Sequence, residues 1–242
     1  MKILICISHV PDTNVKIPFK DGKPDLAGLS FVIAPYDDFA LARAVELRDQ
    51  TQGKLTVLCV GKADTEPTIR KALAIGADDA IRVDAEPADA LFVATQIAEI
   101  AKQNQYDIIL TGRESSDYNG GQVHGMVAAM LGMPCIVPCM KLDLNGNLAT
   151  MYREIEGGKE VVEVNTPFVA GCQEPIAEWK IPNMRGIMSA KTKPLKVVPP
   201  TGAGATQVSA YEVPAARSNC KMIDASNVEQ LVELLKNEAK VI

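Results

Sequence analysis

Short apolar runs alternate with helical spacings through the first half of the chain. Residues 3–7 (ILICI), 55–61 (LTVLCVG), 80–84 (AIRVD), 106–112 (YDIILTG) and 134–138 (PCIVP) are brief and nearly continuous in apolar side chains. Such runs read as strands buried on both faces, as in a parallel sheet. Between them the period changes. Ile69, Ala72, Leu73 and Gly76 share one helical face; so do Val93, Ile97, Ile100 and Ala101, and so do Val123, Met126, Val127, Met130 and Leu131. Residues 37–48 form a further helix of more mixed pattern. This alternation predicts right-handed crossovers and a doubly wound parallel sheet, an α/β fold.

The pattern changes after residue 138. Residues 139–170 read as antiparallel strands, with 143–147 (DLNGN) as a hairpin turn and Gly157-Gly158 as a second. Val162, Val164 and Thr166 alternate with Glu163 and Asn165, as on a half-exposed strand. Prolines 175, 182, 194, 199 and 200 predict an irregular, exposed stretch over 173–200, and 201–210 (TGAGATQVSA) has linker composition. A terminal amphipathic helix follows, with 224–226 as its cap region and Val228, Leu231, Val232 and Leu235 on one stripe. The expected division is an α/β domain over 1–195, then a linker and C-terminal arm over 196–242.

Composition narrows the functional classes. The 242 residues are 47% hydrophobic and 23% charged, ordinary globular values. A net charge of −5 and 5% aromatics supply neither the basic footprint nor the stacking platform of a nucleic-acid binder. No apolar run reaches membrane-spanning length, and the first residues lack a signal-peptide pattern, so a cytoplasmic location is expected. The six scattered cysteines read as reduced core residues, and with only His9 and His124 no zinc set is expected. A hydrolytic triad has little to draw on, and no catalytic residue is assigned. Asp37-Asp38 read as capping residues at a helix start, Lys191-Thr192-Lys193 as a solvated turn, and Met126, Met130 and Met133 as core.

In open α/β sheets, ligands bind beyond the carboxyl ends of the strands. Residues 8–13, 61–65, 84–87 and 112–122 qualify. The last, following Gly112, is the richest: Ser115 and Ser116 can cap, and Asn119-Gly120-Gly121 allows close backbone approach just before a helix. Gln122 can hydrogen-bond in the first turn. Free amides and the macrodipole at such a helix start suit a phosphate. A βα loop needing glycine for its turn and serine for its cap would look the same.

Four segments together resemble the electron transfer flavoprotein β subunits: 10–17 (VPDTNVKI), 68–78 (TIRKALAIGAD), 151–167 with its REIEGGKE core, and 182–191 (PNMRGIMSAK). The resemblance spans nearly the whole chain. It implies an adenine-nucleotide-binding α/β domain and a heterodimer with an α subunit that carries the electron-transferring FAD. Electrons would pass from dehydrogenases such as acyl-CoA dehydrogenase in fatty acid oxidation, or from NADH, to an acceptor such as a membrane quinone reductase, with no membrane insertion of this chain. The β subunit holds AMP in simple carriers and a second FAD in bifurcating relatives; the latter would allow NADH oxidation.

By position in the family, the nucleotide site comprises Cys6, Ser8, Asp12, Ala34, Tyr36, Val60, Gly112, Ser115, Asp117, Asn119, Gly120, Gly121, Gln122 and Val123. Many relatives read A-x-D-x-D-T-x-Q-V in the loop. Here Asp117, Gln122 and Val123 fit that pattern, while Asn119 and Gly120 replace Asp and Thr, removing one phosphate-binding hydroxyl. Val10-Pro11-Asp12-Thr13 looks more like the bifurcating and nitrogen-fixation-linked branches, so AMP and FAD both stay open. The resemblance further implies that residues 171–182 dock the dehydrogenase, through Glu174, Trp179 and an exposed apolar anchor at Ile176, and that the C-terminal helix reaches over the α subunit. A stand-alone nucleotide-binding regulator of universal-stress-protein type shares the α/β layout but needs no antiparallel arm. An adenylating enzyme would need a pyrophosphate-binding loop that is not recognisable here.

Overall fold

A computed structural model describes residues 1–215 and 220–242. The chain forms two compact units, Met1–Ser209 and Ala210–Ile242. The first contains β1 (Lys2–Cys6), β2 (His9–Pro11), β3 (Phe19–Lys20), β4 (Lys23–Pro24), β5 (Phe31–Ile33), α1 (Pro35–Thr51), β6 (Lys54–Val60), α2 (Glu66–Ile75) and β7 (Asp79–Val83). It continues with α3 (Ala90–Asn104), β8 (Ile108–Gly112), α4 (Val123–Leu131), β9 (Cys135–Asn145), β10 (Leu148–Ile155), β11 (Gly158–Asn165), β12 (Phe168–Cys172), α5 (Met184–Ala190) and β13 (Leu195–Val198).

Nine strands make one sheet in the order β11-β10-β9-β12-β8-β1-β6-β7-β13. The central strands pair in parallel, as their apolar runs predict. Successive side chains feed opposite cores. Ile3, Ile5 and Ile7 point into one core with Ala40, Leu41, Leu47, Ile69 and Leu73, so α1 and α2 cover that face. Leu4 and Cys6 point into the other with Phe92, Ile97 and Val127, so α3 and α4 cover the second face. The period of two along one strand thus accounts for both helix layers.

Local sequence sets the element ends. Pro35 opens α1 where its missing N–H costs nothing, Asp89 caps α3 by accepting from the Phe92 N–H, and Gly132 ends α4 at φ 66°.

Two expectations for the second half are corrected. Phe168–Cys172 is not antiparallel: β12 lies between β8 and β9 and pairs in parallel with both, all five residues buried. Thr166-Pro167 interrupts the chain before it, and the continuous apolar run FVAGC is the mark of an interior strand. Residues 173–200 are not wholly irregular either. Asn183 caps α5, and β13 extends the sheet beside β7. The boundary expected at 196 falls inside β13, and the first unit runs to Ser209. In the second unit, Asn227 caps the six-residue α6 (Val228–Glu233), a π-helical turn Leu234–Glu238 follows, and Lys221 pairs with Glu238 at 3.1 Å.

Candidate functional site

The chain leaves β1 toward β6 on one side of the sheet and later enters β8 on the other side of β1. The carboxyl ends of β1 and β8 therefore flank a topological switch point, where open α/β sheets bind ligands. The carboxylate of Asp37 sits there. Asp37, in the first turn of α1, accepts from the Ser8 N–H through Oδ2 at 2.7 Å and from the Gly112 N–H through Oδ1 at 2.7 Å. It does not cap its own helix, as the sequence suggests; it bridges the two strand-end loops. Gly112 is required there, because a Cβ would stand 2.6 Å from Asp37 Oδ1 and 2.9 Å from the Asp37 backbone nitrogen.

Burial dominates the electrostatics. It pushes Asp37 up to about 7, against the pull of the Ser8 and Gly112 donors, with Asp38 adding repulsion. Asp38 is raised less, because Lys71 and the Trp179 indole N–H at 3.1 Å oppose its burial. Cys6 is pushed well above the usual thiol range by burial and by Asp37, which makes it an inert packing group. Burial lowers His124, whose Nε2 lies 3.0 Å from the Arg113 carbonyl. A carbonyl only accepts, so Nε2 carries the proton of a neutral ring.

Several family-expected residues meet around this bridge. Cys6 closes β1 and Ser8 lies in the loop just beyond it, Val60 closes the neighbouring β6, and the Ala34 N–H donates to the Ser8 carbonyl at 3.1 Å. The guanidinium of Arg113 lies 4.9 Å over the Tyr36 ring, and its Nη1 donates to Gln173 at 2.8 Å. Beyond Gly112, Ser115 accepts from the Asn119 N–H, while Asn119 and Gly121 take φ of 48° and 56°. Gly120 has no heavy atom within 4 Å of where a Cβ would stand. Gln122 is the N-cap of α4 but makes no side-chain cap bond, so the first-turn amides from Val123 onward are left for another acceptor. An exposed glycine loop before an uncapped helix start is chemically suited to a nucleotide phosphate.

Two expected residues make their side-chain hydrogen bonds locally. Asp12 lies in a local turn, accepting from the Asn14 N–H and Nδ2, while its own N–H serves the Ser30 carbonyl. The Asp117 carboxylate accepts from the adjacent Tyr118 N–H in the exposed loop. Sequence reasoning missed the bridging role of Asp37 and the Arg113–Tyr36 stack. The only signal was an acidic pair directly after Pro35-Tyr36 at a strand-to-helix turn.

The segment expected to dock a dehydrogenase also differs from expectation in its burial. Ile176 is 7% exposed and packs in the core, whereas Ile181 is 74% exposed and Trp179 is also open to solvent. Glu174 is exposed. Lys193 is no solvated turn residue: its Nζ donates to the Leu73 carbonyl at 2.9 Å and the Ala77 carbonyl at 2.6 Å, closing the C-terminal end of α2.

A concavity of about 530 Å³ lies elsewhere, at the amino ends of β1 and β6. Gln52 and Gln105, the C-caps of α1 and α3, line it, and helix C-termini disfavour anions. Among the described residues no helix is long and apolar enough to cross a membrane.

Comparison with known proteins gives a consistent result. Residues 27–203 match the electron transfer flavoprotein domain family. The electron transfer flavoprotein subunit beta of Syntrophomonas wolfei is 36% identical over 100% of this chain and 98% of its own length. That of Bacillus subtilis is 30% identical over the whole of both chains. The caffeyl-CoA reductase-Etf complex subunit CarD of Acetobacterium woodii is 30% identical over 99% of this chain and 98% of its own.

Proposed function

The chain belongs to the electron transfer flavoprotein β-subunit family, and from that premise we propose how its own residues serve electron transfer. An adenine nucleotide binds across the carboxyl ends of β1, β6 and β8. Its phosphate lies against the open amides that follow Gly121, and the remainder rests near Ser8, Ala34, Tyr36 and Val60. The observation that carries this reading is the Asp37 bridge, which fixes Ser8 and Gly112 at the switch point while the loop beyond stays open at Gly120 and Gly121.

The residues present suit the adenosine phosphate common to AMP and FAD. FAD in this subunit would supply hydride acceptance from NADH; AMP would be structural. The chain's own tasks are to bind and orient that nucleotide, to hold an α subunit that carries the electron-transferring FAD, and to present a docking surface to a dehydrogenase. On the docking segment, Trp179 and Ile181 supply the exposed apolar contact, with Glu174 at its start. Ile176 supports them from the core. The second unit contributes the arm that contacts the α subunit.

Co-expression with a cognate α chain, followed by acid release and chromatography of bound nucleotides, tests this reading. One FAD plus one AMP per heterodimer supports a simple carrier, and two FAD support a bifurcating one. A homodimer that releases ATP would overturn the family-based function in favour of a regulator.

A further inference from the structure

The segment after β13 has the composition of a flexible linker, yet hydrogen bonds hold it along its length. Thr201 is gripped on both sides by the Gln96 amide: its N–H donates to Oε1 and its carbonyl accepts from Nε2, both at 2.7 Å. Gln96 is 2% exposed, so its amide reaches the surface residue Thr201 from within the fold. Asp89 then does two jobs. Oδ1 caps α3 through the Phe92 N–H at 2.7 Å, while Oδ2 accepts from the Ala205 N–H at 2.7 Å, the Thr206 N–H at 2.8 Å and the Thr206 hydroxyl at 3.2 Å. Gly204 allows the close approach. A Cβ there would stand 2.7 Å from the Ala88 Cβ, a position with no flexible side chain to move aside.

We infer that Asp89 and Gln96 form a clasp that straps residues 201–206 onto α3 and so fixes the point from which the C-terminal arm departs. This inference rests on the reading that the arm contacts the α subunit. Binding by a tethered segment depends on effective concentration, which falls roughly as the −3/2 power of free tether length. With the clasp closed, the free chain before the second unit is 207–209; with it open, the free chain is 199–209. That lengthening, from three free residues to eleven, lowers the arm's effective concentration by up to roughly 7-fold, the figure for contact that begins at Ala210. The clasp residues position the arm and take no part in electron transfer.

The test uses Gly204→Val, which pries the strap from Ala88 and leaves both helix and cap intact. Amide hydrogen exchange on the heterodimer should show Thr201, Ala205 and Thr206 protected in the wild type and released in the variant, with β1 and β8 unchanged. Exchange of labelled for unlabelled β chain should then be faster in the variant, by up to about 7-fold. Wild-type amides at 201, 205 and 206 that exchange like free peptide would overturn the clasp. Released amides with an unchanged dissociation rate would overturn its role in assembly. A wild-type chain that pairs with no α subunit would instead sink the partner reading, and protection in the chain alone would still decide whether the strap exists.

Discussion

Asp37→Asn is the most informative single change. The substitution preserves shape but turns one of two acceptors into a donor, facing either the Ser8 or the Gly112 N–H, each now 2.7 Å from a carboxylate oxygen. The buried N–H left without a partner costs about 1–3 kcal/mol. Ionisation acts in the opposite direction. Burial raises Asp37 from 3.8 to about 7 in the folded chain. A group with a raised folded value contributes stability that is complete below the unfolded value and is lost as pH rises through the folded one. The wild type therefore loses up to ~4 kcal/mol of this contribution between about pH 4 and pH 7, and the variant does not. The destabilisation caused by Asp37→Asn should thus be largest near pH 4, below the range in which Asp37 ionises, and should shrink or reverse by pH 8. Urea unfolding of both proteins across that range measures it. Nucleotide content should fall at every pH, because the loops lose their brace. A stability gap that widens toward pH 8 would refute the reasoning, since it would mean that the two N–H donors outweigh burial and hold Asp37 ionised.

Other outcomes follow from the same geometry. Gly112→Ala should cost about 1–3 kcal/mol and most bound nucleotide, because the new methyl meets backbone at 2.9 Å; thermal unfolding and nucleotide release check both. Lys193→Met removes two bonds from the C-terminal end of α2 and should cost about 1–2 kcal/mol, with no change in nucleotide content. Ile181→Ser should leave thermal stability within about 0.5 kcal/mol and slow reduction by a dehydrogenase, whereas Ile176→Ser should destabilise by about 2–4 kcal/mol. Equal stability losses for the two isoleucines would remove Ile181 from the docking surface.

The parallel core was legible because strands buried on both faces leave uninterrupted apolar runs, and β1, β6, β7 and β8 fall within a residue or two of their expected limits. β12 was missed because its run of five follows a genuine antiparallel hairpin, and a strand's partner is decided by tertiary packing rather than by the strand itself. Residues 195–198 were hidden by flanking prolines. At the site, glycine spacing and strand ends located the loop, since those are properties of local backbone. Asp37 and Lys193 could not be read correctly, because each acts on backbone groups distant in sequence: Ser8 and Gly112 for one, Leu73 and Ala77 for the other. Ile176, expected to be exposed, is buried, and Ile181, given no role by the sequence, is open to solvent, for a similar reason. Burial on a proline-bounded segment depends on how it folds back, and both positions look alike as letters. The linker composition of 201–206 concealed a strap whose partners lie on α3.

The central claim is that a nucleotide lies across the ends of β1, β6 and β8 against the open loop before α4. A crystal structure of the co-purified heterodimer tests it directly. The account predicts an adenosine phosphate whose phosphate oxygens accept from amides at the start of α4, with Asp37 still bridging Ser8 and Gly112. A nucleotide bound at the amino ends of the strands beside Gln52 and Gln105, or an empty crevice in a nucleotide-bearing complex, would contradict it.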